Sequence, residues 1–345
     1  MIKHFFIKAS FIGLTLFGQV NANDFTADEA KFDKFIAELK LEAVAKGYDK
    51  SLINQAFEGV KFKPKVIKAD RNQPEFVETL ETYLPKRVPQ YKVDRARAEY
   101  KKHKDLLEKI GQDYGVQPRF IVALWGLESA FGKYQGKLPL VPSLVTLSYD
   151  GRRGAFFKKQ LWHALDIVKN GEADLSQLKG SWAGAMGQVQ FIPSSFKAYA
   201  VDYDGDGVKD VWKNQADVFA SAANYLKSVG WNNDLTWGRQ VKLPANFNYD
   251  LAIPTKTKGR SDWLKKWNET ERSLADWQAI GLRRMDGKNL PIRDLKAALL
   301  LPDGKKGRAY LAYDNYKVLM HWNRSYYFVT TVGYLADRIG YPAVK

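Results

Sequence analysis

Between Phe120 and Gly132 the chain reads Phe-Ile-Val-Ala-Leu-Trp-Gly-Leu-Glu-Ser-Ala-Phe-Gly, a run in which Glu128 is the one charged group. A segment this apolar is unstable on a water-facing surface, so any fold the chain adopts has to wrap other elements around it. Pro118 suits the first turn of a helix and Gly132 its C-terminal cap, so the spacing predicts a buried helix with Glu128 in its last turn. A carboxyl group held there loses water on folding, which favours the neutral acid over the anion. The partial negative charge at a helix C-terminus acts in the same direction. These are the conditions for a general acid. Taken from the residues alone, two roles stay open for Glu128: a proton donor, or a buried acid whose carboxylate is paired with an arginine or a backbone donor.

Residues 1–22 combine a basic start (Lys3, Lys8), an apolar stretch from Ala9 to Gly18 and the small-residue ending Val20-Asn21-Ala22. This pattern predicts a cleaved export signal and a periplasmic mature chain beginning near Asn23. No later segment approaches the roughly 20 apolar residues needed to cross a bilayer. The chain has no cysteine, so neither disulfides nor a lipid-bearing cysteine can hold it, and it must rely on its core. Its length is that of about two domains at roughly 150 residues each. The formal charge is +16, of which Lys3 and Lys8 supply two, leaving +14 for the mature chain. A balance this basic attracts polyanions. Export argues against nucleic acid and leaves cell-wall polymers and anionic lipid surfaces. The clusters Lys61 to Lys68, Lys101-Lys102 and Lys305 to Arg308 are read as solvated faces.

The pattern is helical at both ends. Phe32, Phe35, Ile36, Leu39 and Ala43 recur at helical spacing up to Gly47, and a shorter helix is predicted from Ser51 to about Phe57. A long basic helix from about Val93 to Tyr114 carries Ala96, Tyr100, His103, Leu107 and Ile110 on one face. Phe157, Leu161, Leu165 and Val168 mark a helix stopped by Gly171, and Val218, Ala222, Tyr225 and Leu226 one stopped by Gly230. From Trp237 to about Tyr316 helical spacing fades. There Ala297 to Leu301 and Ala309 to Tyr313 flank Pro302-Asp303-Gly304 as in a hairpin. A last helix, Tyr326 to Ile339, is expected to pack back against the Glu128 region. The fold class is mainly α with a small β portion (α+β). The boundaries expected are 23–92 for an N-terminal helical domain, 93–236 for the core, 237–316 for a small β-containing subdomain and 317–345 for the helical return.

The residue inventory removes several chemistries. Without cysteine there is no thiol nucleophile, and His4, His103, His163 and His321 are isolated, so no zinc spacing exists. Nothing resembles a nucleophile elbow, and Gly184-Ala185-Met186-Gly187 lacks the Lys-Ser/Thr of a phosphate loop. No organic cofactor is expected. Carboxylate chemistry remains, and glycoside cleavage is its obvious home, because an acid must protonate the leaving oxygen. The stretch Lys179 to Pro193 mixes tight turns with a hydroxyl (Ser181), two amides (Gln188, Gln190) and aromatic rings, a set suited to a sugar. It also suits a glycine-rich packing loop.

Glu128-Ser129-Ala130-Phe131-Gly132, Gly184-Ala185-Met186-Gly187 with Gln190-Phe191-Ile192-Pro193, Asp202-Tyr203-Asp204-Gly205-Asp206-Gly207, Ala223-Asn224-Tyr225, Trp322-Asn323-Arg324-Ser325 and Leu335-Ala336-Asp337-Arg338-Ile339 together resemble the lytic murein transglycosylase B family. Each motif is short, but their order and spacing run from about Phe25 to the C-terminus. The resemblance implies a lysozyme-like helical core with an inserted β subdomain. It implies cleavage of the bond between N-acetylmuramic acid and N-acetylglucosamine in peptidoglycan without water. The muramoyl C6 hydroxyl closes on C1, so a second catalytic carboxylate is not required. By the same pattern Glu128 is acid and then base. Ser181, Gln190, Phe191, Tyr225 and Asn323 contact substrate, and Arg152 and Arg153 meet the acidic peptide stems. Phe328 stands where the family often has tyrosine, which removes a hydroxyl from that position. Peptidoglycan glycan strands, and beyond them other cell-wall enzymes, are the partners expected.

Asp202, Asp204, Asp206 and the carbonyl of Val208 also follow the front half of an EF-hand on their own spacing, with Gly at the sharp turn. Position twelve is Lys213, which cannot coordinate a cation, and the resemblance implies a longer loop closed by Asp217. A structural calcium ion is expected, against a metal-free turn. Three functions stay open: a lytic transglycosylase, a hydrolytic muramidase on the same core, and a non-catalytic peptidoglycan-binding scaffold.

Overall fold

The structure, a computed structural model, describes residues 28–71, 78–254 and 257–341. The expected export signal, residues 1–22, lies outside the described residues. By compactness the described chain forms two units, one of residues 28–71 and 124–225, the other of residues 78–123 and 226–341.

In the first unit the centre is a pair of packed helices, Leu140–Tyr149 and Gly154–Lys169. Leu140–Tyr149 buries residues on nearly every side, Ser143, Thr146 and Ser148 included. Those hydroxyls are satisfied inside the helix, donating to the carbonyls of Pro139, Pro142 and Leu144. With no polar face there is no amphipathic period, and the sequence pattern carries no sign of this helix. Helices Glu29–Ala45, Lys50–Phe57 and Pro64–Arg71 pack on it. Asp28 caps the first by accepting from the Ala30 and Lys31 N–H groups at 3.1 and 3.3 Å. The Tyr48 hydroxyl bonds the Trp162 carbonyl and Asp166, which fixes this layer on helix Gly154–Lys169.

In the second unit helix Tyr326–Gly340 packs on Leu80–Arg87 and Gln90–Lys102. The single helix expected over 93–114 is two, Gln90–Lys102 and Lys104–Tyr114, broken at His103 (φ −108°, ψ 21°). The apolar spacing keeps its phase across the break, which only a local run of four basic residues, Lys101 to Lys104, marks in the sequence. The 237–316 region holds a five-stranded antiparallel sheet. Its strand order is Arg272–Ser273, Lys296–Leu300, Ala309–Ala312, Gly238–Lys242, Arg283–Arg284. The expected hairpin is its centre, with Leu299 opposite Leu311. One sheet face buries Val241, Leu299 and Leu311 against Trp277 and Leu282. Two helices the pattern missed, Arg260–Thr270 and Leu274–Ala279, lie in this region, the second opened by a Ser273/Asp276 capping box. Helix Tyr326–Gly340 meets the start of the Glu128 helix. Arg119 pairs with Asp337 at 3.0 Å, and Asp337 also accepts from Trp237 Nε1 and Arg239.

Candidate active site

Glu128 is placed by helix Pro118–Ser129, which buries Phe120 to Leu124 completely and carries Glu128, 7% exposed, in its last turn. The helix stops earlier than Gly132. Ser129 turns its hydroxyl back to the Trp125 carbonyl (3.2 Å) and accepts the Gly132 N–H (2.9 Å). Ala130, Phe131 and Gly132 then follow with left-handed backbone, φ 51°, 60° and 79°. Among the described residues only three non-glycine positions adopt positive φ, and the third is Gln190 at 52°. Such backbone costs about 1–2 kcal/mol per residue and persists only where packing over-determines it. All three lie at this site.

The packing that holds them is explicit. Trp125 Nε1, one helical turn before Glu128, donates to Gln188 Oε1 at 2.7 Å. Gln188 Nε2 reaches the Trp212 carbonyl and Gln215 at 3.0 and 3.1 Å. A methyl group on Gly132 would come within 2.4 Å of Gln188 Oε1, so this position needs glycine twice over. The helix carrying the acid is thereby joined to the loop 181–191. Gln190 Nε2 donates to the carbonyls of Gln135 (3.1 Å) and Gly187 (3.0 Å), tying that loop to the segment after the helix.

Of the residues expected to contact substrate, Ser181, Gln190, Phe191 and Tyr225 fall in this unit. Ser181 Oγ accepts from Ala183 and Ala185, which closes the turn. Phe191 and Tyr225 are ring neighbours at 5.8 Å, and Tyr199, which the sequence did not single out, lies 4.3 Å from Tyr225. Asn323 belongs to the other unit, at the end of helix Asp314–Trp322; it is 7% exposed and its Oδ1 has no hydrogen-bond partner among the described residues. Arg152 and Arg153, expected to meet the acidic stems, lie together in the first unit. Both guanidinium groups clasp Asp70, whose side chain is 1% exposed; Arg152 Nε lies 2.9 Å from its Oδ2, and Arg153 bonds its Oδ1. A buried carboxylate needs such partners.

The acidic loop gathers three of its five expected ligands. Carboxylate oxygens of Asp202, Asp204 and Asp217 lie within 4.8 Å of one another. Asp202 accepts from the N–H groups of Gly205, Asp206 and Gly207, and Asp217 from those of Tyr203 (2.7 Å) and Asp210 (2.8 Å). The sequence missed Asn214, whose side chain holds Asp204 at 2.6 Å. Asp206 stands outside the group and accepts from the N–H of Val208, a residue 41% exposed. Burial, with the charges of Asp204 and Asp202 added, raises the Asp217 carboxyl above its ordinary range. Three hard oxygen donors that repel one another fit a divalent cation such as calcium. The loop also supports the site: the Gln188 N–H donates to the Val211 carbonyl at 2.8 Å, and Gly187 packs on Val211.

Known proteins match this geometry. The transglycosylase SLT domain family matches residues 31–337. Membrane-bound lytic murein transglycosylase B of Escherichia coli K12 is 32% identical over 249 residues, 71% of this chain; the match spans 63% of that relative's length. SltB3 from Pseudomonas aeruginosa in complex with NAG-NAM-pentapeptide superposes with a TM-score of 0.82 at 37% identity, covering 91% of this chain and 80% of that one. The Escherichia coli lytic transglycosylase SLT35 in complex with calcium superposes with a TM-score of 0.74 at 26% identity, covering 92% and 95%. These matches bear out the helical, lysozyme-like architecture and the family resemblance. No described helix is long and apolar enough to cross a membrane.

Proposed function

The chain belongs to the transglycosylase SLT domain family, and from that membership we propose that it is a lytic murein transglycosylase. It cleaves the bond between N-acetylmuramic acid and N-acetylglucosamine in peptidoglycan without consuming water. The observation that carries this reading is the setting of Glu128. Asp70, Glu128 and Asp217 are buried acids among the described residues, and Asp150, whose side chain is also covered, is paired with Arg71. Asp70 is neutralised by two arginines and Asp217 belongs to the cation group. Glu128 ends an apolar helix that the Trp125–Gln188 bond joins to the loop 181–191, which carries amides, a hydroxyl and a ring suited to a sugar.

A carboxyl removed from water is stabilised in its neutral form, which is the form that protonates a leaving oxygen. As the C1–O bond to the departing sugar breaks, positive charge develops at C1. The muramoyl C6 oxygen closes on C1, and the Glu128 carboxylate takes the proton of that hydroxyl. Glu128 ends as it began, protonated. The product carries a 1,6-anhydro ring and no water has been added. Ser181 and Gln190 supply hydrogen bonds to sugar hydroxyls and amides, and Phe191 and Tyr225 supply apolar cover. That SltB3 is known in complex with NAG-anhNAM-pentapeptide supports such a product for this chain.

Asp202, Asp204 and Asp217 would hold calcium, which supplies positive charge between three carboxylates. The SLT35 complex with calcium supports this identity of the ion. Its place is structural, stiffening the loop on which Gln188 leans. The basic, apolar and small-residue order of residues 1–22 supports a periplasmic location. The test is digestion of purified peptidoglycan by the wild type and by Glu128→Gln, with muropeptides weighed. Products one water lighter than hydrolytic ones, and loss of about a hundredfold or more of the rate in the variant, are expected. Reducing ends would establish a muramidase instead, and release of nothing a scaffold.

A further inference from the structure

The turn 210–213 offers two carbonyls to the segments on either side of Glu128. The Val211 carbonyl accepts the Gln188 N–H at 2.8 Å. The Trp212 carbonyl accepts from two side-chain amides, Gln188 Nε2 at 3.0 Å and Gln135 Nε2 at 3.0 Å. Each glutamine then reaches the chain that carries the acid. Gln188 Oε1 takes the Trp125 Nε1 hydrogen at 2.7 Å, three residues before Glu128. Gln135 Nε2 also donates to the Gly132 carbonyl at 3.1 Å, four residues after it. Glu128 is thus bracketed by two ties, and both lead to the same Trp212 oxygen.

The Gln188 bonds admit no substitute for an amide. Both hydrogens of its Nε2 are used, on the Trp212 carbonyl and on Gln215 Oε1 at 3.1 Å, while its Oε1 is the acceptor for Trp125. Turning the amide over would set its oxygen against the Trp212 carbonyl and its nitrogen against an indole N–H, so the network fixes its orientation. With two amide donors on it, the Trp212 carbonyl is filled as well. Gln188 is 5% exposed, so water does not replace a lost bond there. The turn itself is held from the acidic loop. The Trp212 and Lys213 N–H groups donate to Asp210 Oδ1 at 2.9 Å, and the Asp210 N–H donates to Asp217 Oδ2 at 2.8 Å. Asp217 is a member of the cation group. A continuous path therefore runs from that carboxylate through Asp210, the Trp212 carbonyl and Gln188 to Trp125 on the Glu128 helix.

We propose that Gln135 and Gln188 are positioning residues for Glu128 and that, through the Trp212 carbonyl, they couple the proton donor to the acidic loop. The inference rests on the reading of Glu128 as that donor. Neither glutamine has to touch the sugar: a donor displaced by about 1 Å loses about a hundredfold in rate. With a cation held by Asp202, Asp204 and Asp217, the Asp217 carboxylate is fixed, and with it the turn and the two ties. Coupling of this kind is reciprocal, so loosening the ties weakens the hold on the cation.

Methionine matches glutamine in length and lacks the amide, so Gln188→Met and Gln135→Met cut the ties at similar volume. Both are compared with the wild type on a soluble glycan fragment, with rates corrected for the fraction folded. Gln188→Met lowers kcat about tenfold to a hundredfold and Gln135→Met about threefold to tenfold, while KM stays within about twofold of the wild type. The second readout needs no turnover: calcium is titrated calorimetrically into each metal-stripped protein. Affinity falls about fivefold in Gln188→Met and less in Gln135→Met. Unchanged kcat in both variants, or a rise in KM at constant kcat, would overturn the positioning role. Unchanged calcium affinity in both variants, or no calcium binding by the wild type, would overturn the coupling. Gln135 is half-buried, so Gln135→Met still reads both quantities if Gln188→Met folds poorly. A wild type that cleaves no glycan would remove the reading of Glu128, and the calcium titration would still decide the coupling.

Discussion

Replacing Gly132 by alanine separates two costs that the structure assigns independently. Gly132 has φ 79°, a left-handed conformation that costs an L-residue about 1–2 kcal/mol. Its added methyl would also meet Gln188 Oε1 at 2.4 Å and Cδ at 2.9 Å. The Gln188 amide cannot retreat without losing the 2.7 Å bond from Trp125 Nε1, and a buried donor left unsatisfied costs about 1–3 kcal/mol. The expected loss is therefore about 2–5 kcal/mol. Gly47 supplies the control. It lies in the same compact unit with φ 76° and has nothing within 4 Å of where an added methyl would stand, so Gly47→Ala carries the backbone cost alone. Urea unfolding of both variants, compared at a common denaturant slope, measures the difference, expected at about 1–3 kcal/mol. Gly132→Ala also loses glycan cleavage out of proportion to its fraction folded, because the Trp125–Gln188 link holds the acid against the loop. Equal destabilisation of the two variants, with equal retained activity, would refute the reasoning.

The Asp70 cluster gives a second prediction. Asp70→Asn leaves two guanidinium groups facing a neutral amide, and with Arg152 45% and Arg153 20% exposed the loss is expected at about 2–3 kcal/mol, below that of a fully buried pair. Arg152→Gln costs about 1 kcal/mol, since Arg153 remains and water reaches Arg152; a change in stem preference without any loss of stability would return that residue to the substrate. For the acidic loop, Asp217 binds its proton more tightly folded than unfolded, because burial and then its acidic neighbours raise its titration from the ordinary 3.8. Its contribution to metal-free stability is therefore full below that value and declines as pH rises through the folded titration. Added calcium should raise the melting temperature little near about pH 4 and increasingly towards neutrality, and a calcium effect that shrinks with rising pH would contradict this.

The helix bearing Glu128 was legible because an apolar run with one acid has few ways to be buried, and the acidic loop because alternate oxygen ligands with glycine at the turn are a local pattern. What escaped was set by contacts distant in sequence. Gly132 suited a helix cap, but the helix ends at Ser129 because the Ser129 hydroxyl and the Gln188 amide impose three successive left-handed residues. The break at His103 had only a local run of basic residues to announce it. Helix Leu140–Tyr149 is buried all round and so lacks the polar face by which helices are recognised. The family resemblance offered Arg152 and Arg153 to an acidic ligand; Asp70, which both clasp, lies far back in the chain and no spacing rule connects them.

The central claim is that the acceptor of the cleaved bond is the sugar's own C6 hydroxyl. Cleavage of purified peptidoglycan in water enriched in oxygen-18 tests it at the atom concerned. The account predicts muramoyl ends that contain no oxygen from the solvent and carry the anhydro ring. One solvent oxygen at C1 of each new end would contradict it.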